Sequence, residues 1–327
     1  MLRWLDSYLR ERSQAVTVKG YCSTFVPVPS GVPQGSHLGP LLFNIFVNDI
    51  VSVFQNSCFL MYADDSKIFR IVESLSDCDR LQNDLDRLIN YCFDNFLYLN
   101  IKKCNVITFS RKREPIMYKY RLNNEIISRQ SEVRNLGVHL DSKLTFGPHI
   151  GLITAKAYRM LGFVMRTGGE LKQITTLILL YNCFVRSILE YASTVWNPQY
   201  NVYIDNIERI QNKFLRFLEC KYPSFDSSNI KSLLQRRIVR DQLFIHKILN
   251  NIVDSSFLLN SIGFRCPRVN TRNTSLFHVP LSRTNYLSNT FVYRSCDSYN
   301  KNFQDVNVFN ISLYKFKKLI CSLEKRT

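Results

Sequence analysis

Two apolar runs flank a short polar turn in Cys58-Phe59-Leu60-Met61-Tyr62-Ala63-Asp64-Asp65-Ser66-Lys67-Ile68-Phe69-Arg70-Ile71-Val72. Each run has strand length and is rich in aromatic and branched side chains, which predicts a β-hairpin. Upstream, Leu2, Leu5 and Leu9 share one face of a helix expected over residues 1–12, and Gln14 to Val18 alternates as a strand. Pro27 and Pro29 bound a loop, and Pro40 stands where a first helical residue is favoured. An apolar face follows at Leu38, Leu41, Leu42, Ile45, Phe46 and Val53. After the hairpin, Ser76 is a candidate helix cap, and Leu81, Leu85, Leu88 and Cys92 recur at helical spacing. Asp77, Asp79, Asp84 and Asp86 are expected to form the solvated face of that helix. Val106-Ile107-Thr108-Phe109 reads as a further strand.

Beyond residue 146 the period becomes helical. Ile150, Ile153, Ala157, Met160, Leu161 and Val164 make one stripe; Leu171, Ile174, Leu177, Ile178, Tyr181, Phe184, Val185 and Ile188 make the next. In a later helix Arg209, Lys213 and Arg216 fall at i, i+4 and i+7, opposite Ile207, Ile210, Phe214 and Phe217. A helix from Leu233 to Leu249 carries Arg236, Arg237, Arg240 and Lys247.

Composition adds a partner. The 327 residues are enough for two or three domains with their own cores. A net charge of +17 points to a polyanion, most simply nucleic acid. Residues 1–150 carry 18 Lys and Arg against 15 Asp and Glu, a balance of +3, whereas residues 151–327 carry 25 against 11, a balance of +14. The basic row at Arg209, Lys213 and Arg216 therefore reads as a duplex-facing surface more readily than as an ordinary solvated face. The ten cysteines include no C-x-x-C pair and the five histidines do not cluster with them, which excludes a zinc-finger or small disulfide scaffold. Free thiols in a reducing compartment, nuclear or cytoplasmic, are expected. Arg3, Asp6, Arg10 and Glu11 interrupt any opening signal peptide, and the apolar run Ile174 to Leu180 is too short to span a bilayer.

The candidate chemistry sits in the hairpin turn. Asp64 and Asp65 are adjacent, and two carboxylates at one tip repel unless a cation joins them. Mg²⁺ suits such a pair, because it takes one or two carboxylates and keeps the rest of its shell for water and substrate phosphates. Two such ions ~3.5–4 Å apart hold both the attacking and the leaving oxygen of a phosphoryl transfer. Asp is also common in turns, where it bonds nearby backbone, so the hairpin alone leaves both readings open.

Tyr62-Ala63-Asp64-Asp65 resembles the YXDD motif of reverse transcriptases, in the form found in non-LTR retrotransposons. Ser30-Gly31-Val32-Pro33-Gln34-Gly35-Ser36-His37-Leu38-Gly39-Pro40-Leu41-Leu42-Phe43 is similar to motif B of the same family and precedes the YADD string, as it does there. Leu99-Asn100-Ile101-Lys102-Lys103-Cys104 resembles motif D, and Asn135-Leu136-Gly137-Val138-His139-Leu140-Asp141 resembles motif E. Glu190-Tyr191-Ala192-Ser193-Thr194-Val195-Trp196-Asn197-Pro198 and the string Ile207 to Phe217 are similar to blocks of jockey-like elements.

The resemblance implies an α+β architecture: an incomplete antiparallel palm sheet with packed helices over residues 1–145, an all-helical thumb over 146–225 and a basic C-terminal extension over 226–327. It implies Asp64 and Asp65 as metal ligands for Mg²⁺, with Mn²⁺ as the alternative, and Lys103 as the phosphate-side lysine. Gln34, Gly35 and Tyr62 are implied in the substrate wall. The implied partners are an RNA template, a DNA primer or RNA–DNA hybrid, and dNTPs. The family's fingers and motif A, with its first metal-binding aspartate, should precede the Trp4-Leu5-Asp6-Ser7-Tyr8-Leu9 string, so this chain is expected to be N-terminally truncated and inactive alone. Neither Asp6 nor Asp49 stands where that aspartate is needed. A nucleic-acid-binding protein without catalysis, or the relic of a decayed element, is the competing reading.

Overall fold

The hairpin forms as its pattern predicts. In the computed structural model, which describes residues 2–266, 275–304, 306–309 and 311–323, strand β1 (Cys58–Tyr62) pairs antiparallel with β2 (Asp65–Phe69). Helix α1 (Leu2–Leu9), helix α2 (Gly39–Phe46) and helix α3 (Leu75–Asp94) accompany it in a mixed helix-and-strand, α+β chain. Strands among the described residues form seven separate two-stranded ladders rather than one sheet. One of them is parallel, joining Asn105–Val106 to Ser128–Arg129. The strand expected at residues 106–109 is thus short, and Gln14 to Val18 divides between two ladders. The chain separates into two compact units, Met1–Ser131 and Glu132–Thr327.

In the first unit, α3 supplies the packing face. Leu85, Leu88 and Cys92 are buried, as their spacing predicts, and Phe59, Met61 and Ile68 of the hairpin pack beside Leu88 and Cys92. The cap is Ser74, not Ser76: its hydroxyl accepts from the Asp77 amide, and Asp77 answers at the Ser74 amide. This capping box satisfies two helix-end amides at once. The motif B helix differs from its expected apolar face. It ends at Phe46, and a 3-10 turn covers Asn48–Val53. Leu41, Ile45 and Phe46 lie exposed.

The second unit begins with hairpin β3 (Glu132–Asn135) and β4 (Val138–Asp141). Helices α4 (Gly147–Thr167), α5 (Ile174–Tyr181), α6 (Asn201–Lys221) and α7 (Leu233–Leu249) follow, then α8 (Phe291–Asn302) and α9 (Leu313–Leu323). Ala157, Leu161, Val164, Leu177, Val185, Ile207, Ile210 and Phe214 close one core, so most of each stripe seen in the sequence is buried, whereas Phe184 is exposed. Part of the basic extension, residues 267–274, 305, 310 and 324–327, lies outside the described residues, as does Met1.

One buried group makes this unit acid-sensitive. His149, 2% exposed, lies against Trp196, and its Nδ1 accepts the His139 amide at 3.3 Å. Burial, with His139 nearby, pushes its pKa from 6.5 down to about 4. The folded state therefore takes up this proton less readily than the unfolded chain. The unit's stability is whole above pH 6.5 and should fall as pH drops toward about 4, by about 3 kcal/mol. Urea unfolding between these limits should show that loss, and His149→Gln should flatten it. An equal slope in the variant would assign the acid sensitivity elsewhere.

Candidate functional site

The hairpin tip is built by a forced turn. Tyr62 pairs with Asp65, so only Ala63 and Asp64 make the loop. Ala63 adopts φ 52°, a left-handed conformation that costs a residue with a side chain roughly 1–3 kcal/mol. Such strain persists only where the flanking ladder over-determines it. Asp64 stands at the tip, Asp65 opens β2, and both are exposed. Tyr62, directly opposite Asp65, shares its face with Leu60 and Cys58; all three are exposed.

Both feet of the hairpin are held by acids of α3. Asp84 is fully buried and accepts the Asn56 amide at 2.9 Å, the Gln55 amide at 3.3 Å and Arg87 at 3.0 Å. Burial pushes its carboxyl up, but the polar groups of Ser57, Asn56 and Gln55 around it outweigh this and hold it below the usual range. Asp77 takes Arg70, just past β2, at 3.0 Å, and the guanidinium holds that carboxyl well below the usual range. Arg70 also donates to the Asn56 carbonyl, closing the two feet together. The expectation that these acids form a solvated face is thus corrected for Asp84 and Asp77; Asp79 and Asp86 remain exposed. The signal was in the spacing. Residues 77, 81, 84 and 88 fall on one helical face, so both acids interrupt the apolar stripe.

The motif B residues form a turn of their own. The Ser36 amide donates to the Pro33 carbonyl at 3.3 Å, with Gln34 exposed and Gly35 at φ 79°. That is the third turn position, which type II geometry reserves for glycine. The Ser36 hydroxyl then accepts the Gly39 amide at 3.0 Å, and a Cβ on Gly39 would sit only 2.9 Å from that oxygen. Lys103 ends a short 3-10 turn, Ile101–Lys103, and is exposed. Among the described residues no hydrogen bond or ion pair joins Lys103, Gln34 or Gly35 to either aspartate. Nor is there any group of three His, Cys, Asp or Glu side chains positioned for a metal.

In the second unit two separated strings meet. The β3–β4 turn places Leu136 at φ 44° and Gly137 at φ 86°. The Tyr191 hydroxyl donates to the Leu136 carbonyl at 2.8 Å, and a Cβ on Gly137 would lie 3.2 Å from the Tyr191 ring. Asp141 accepts the amides of Phe146 at 2.8 Å and Thr145 at 3.0 Å, which starts α4. Its role is structural. Arg209, Lys213 and Arg216 are exposed on α6, while Ile207, Ile210 and Phe214 face the core. Lys213 lies over the Tyr158 ring at 5.8 Å, and none of the three cations forms an ion pair among the described residues.

Residues 1–140 match the family described as Reverse transcriptase (RNA-dependent DNA polymerase). The chain is homologous to RNA-directed DNA polymerases of jockey-like non-LTR retrotransposons. It is 29% identical over 224 residues to the RNA-directed DNA polymerase from mobile element jockey of Drosophila melanogaster, covering 65% of this chain and 24% of that protein. It is 28% identical over 231 residues to the probable RNA-directed DNA polymerase from transposon BS of the same fly, covering 67% and 25%. A third relative there, from transposon X-element, is 27% identical over 223 residues, covering 65% and 24%. The matched part is about a quarter of the length of these relatives. No solved structure gives a significant match. The YADD hairpin, the motif B turn and Lys103 all lie inside the matched reverse transcriptase domain. No helix among the described residues is long and apolar enough to cross a membrane.

Proposed function

We propose that the chain is the palm and thumb part of a non-LTR retrotransposon polymerase that adds dNTPs to a primer 3′-OH on an RNA template. The observation that carries this is the strained tip that presents Asp64 and Asp65 together within the matched domain. Two exposed oxygen donors are the number Mg²⁺ takes from protein when phosphates and water complete its shell, so the residues fit the ion. When bound, Mg²⁺ supplies charge stabilisation to the attacking and leaving oxygens of phosphoryl transfer. Asp64 would be the principal ligand and Asp65 the supporting one. Lys103 would neutralise and protonate the departing phosphate, a role suited to a flexible cation. Gln34, Gly35 and Tyr62 would wall the substrate. Asp84 and Asp77 act through the hairpin: they fix its feet and so hold the tip in register.

The test is metal binding. Mn²⁺ titrated into the chain should broaden resonances near the tip, weakly until a nucleotide triphosphate is added. Unchanged broadening in Asp64→Asn would sink the assignment.

Residues 1–145, 146–225 and 226–327 are proposed as palm remainder, thumb and extension. Nucleic acid would lie along α6, on Arg209, Lys213 and Arg216. Each phosphate neutralised on duplex DNA contributes roughly −0.9 to the slope of log K against log salt. Substituting the three with alanine should therefore flatten that slope by about 2–3, with little sequence preference. A slope unchanged in the triple variant would remove α6 from the interface.

A further inference from the structure

A cleft in the second unit is lined by basic side chains. Its volume is about 220 Å³, and Arg186, Arg236, Lys231, Asn182, Tyr181 and Gln211 line it. That volume far exceeds the roughly 10–15 Å³ one water needs. Arg186 and Arg236 both turn to a single carboxylate, Glu190, which Arg240 also holds at 2.8 Å. Three guanidiniums thus share one acid. Lys231, at the cleft's edge, donates to the Cys321 carbonyl at 3.3 Å.

The backbone marks the same place. Asn182–Arg186 is a π-helical turn between α5 and the residues leading to Glu190, and both its ends line the cleft. A π turn is a rare and costly backbone form that recurs at functional sites. The floor is buried: Tyr181 stacks on Phe214 at 4.2 Å, and the Gln211 amide is fixed by the Tyr181 hydroxyl and the Lys231 carbonyl. Ile178 and Leu215 complete apolar walls.

We propose that this cleft binds a terminal phosphate group, with Arg186 and Arg236 as its charged clamp and Asn182 as an added donor. Guanidinium forks match phosphate oxygens in pairs. A buried floor accepts the end of a chain or a free phosphate, whereas an internal phosphodiester must continue in both directions. The site is independent of the polymerase proposed above and of the exposed row on α6.

The experiment uses the full chain. Inorganic phosphate is titrated by calorimetry, and 5′-phosphorylated and 5′-hydroxyl oligonucleotides of one sequence are compared by fluorescence anisotropy, at matched ionic strength. Phosphate should bind, and Arg186→Gln or Arg236→Gln should weaken it at least tenfold. Because both arginines also hold Glu190, Asn182→Leu tests the cleft without touching the ion cluster and should weaken binding as well. Arg159→Gln, an exposed position on α4 with the same charge loss, should leave it unchanged. Tighter binding of the phosphorylated oligonucleotide, lost in Asn182→Leu, assigns a nucleic-acid end. Binding of inorganic phosphate alone supports the site with a free anion as ligand. No phosphate binding, or equal losses in Arg159→Gln and Asn182→Leu, overturns the proposal.

Discussion

Primer extension should fall at least ~1,000-fold, about 4 kcal/mol of barrier, when Asp64 becomes asparagine in a polymerase that contains this chain. The expected size follows from what the tip offers. A phosphoryl transfer is positioned and neutralised rather than performed by covalent protein chemistry, so losing a ligand removes both effects together. Loss of positioning alone reaches ~7–11 kcal/mol in favourable cases. Asp65→Asn should cost less, because Asp65 sits in the last rung opposite Tyr62 while Asp64 stands in the turn. The assay is extension on an RNA template with Mg²⁺ and all four dNTPs. It compares the 327 residues alone, the same residues joined to a segment carrying the family's motif A aspartate, and that longer chain with Asp64→Asn. The second should extend and the third should not. Extension by the 327 residues alone, lost in Asp64→Asn, would show that another carboxylate within them completes the site.

Replacing Glu190 with alanine should destabilise the second unit by roughly 3 kcal/mol, a large share of a typical domain's 5–15 kcal/mol. Glu190 is buried, and its carboxylate carries Arg236, Arg240 at 2.8 Å and Arg186 at 3.9 Å. Removing one acid leaves three cations facing one another. Their side chains are 28–39% exposed, so water screens part of the repulsion and the estimate sits at the low end of the range for broken buried pairs. Denaturant unfolding of the whole chain measures it. A second substitution, Arg186→Met, should recover part of the loss in the Glu190→Ala background by relieving the repulsion. No recovery would assign the loss to packing instead.

Arg237 marks the same region. It is 1% exposed, none of its guanidinium nitrogens has a hydrogen-bond partner among the described residues, and a Glu208 oxygen lies 3.9 Å away. Burial pulls its pKa down, while Glu208 and Glu190 oppose the shift. The arginines of α7 therefore differ from the exposed cations of α6. Arg236 and Arg240 are tied to Glu190, and Arg237 is enclosed, although all of them add to the +14 of the basic half.

The local period of the sequence determined the hairpin, the α3 stripe and the helical stripes beyond residue 146, because alternation and helical spacing select which side chains can face a core. The tip was singled out by the resemblance of Tyr62-Ala63-Asp64-Asp65 to the YXDD motif, since period alone leaves an ordinary turn role open for both aspartates. What period does not encode is which element lies against a given face. Asp84 and Asp77 read as polar residues of α3 until the segments 55–56 and Arg70 arrive against them. Tyr191 meets the Leu136–Gly137 turn across 55 residues of chain. Leu41, Ile45 and Phe46 make an apolar stripe that the structure leaves exposed. Apolarity shows that a face benefits from burial, whereas burial itself is decided by the contacts the rest of the chain brings. The charge on α7 follows the same logic: the helical period does not say what its arginines meet, and Glu190, 46 residues from Arg236, ties Arg236 and Arg240.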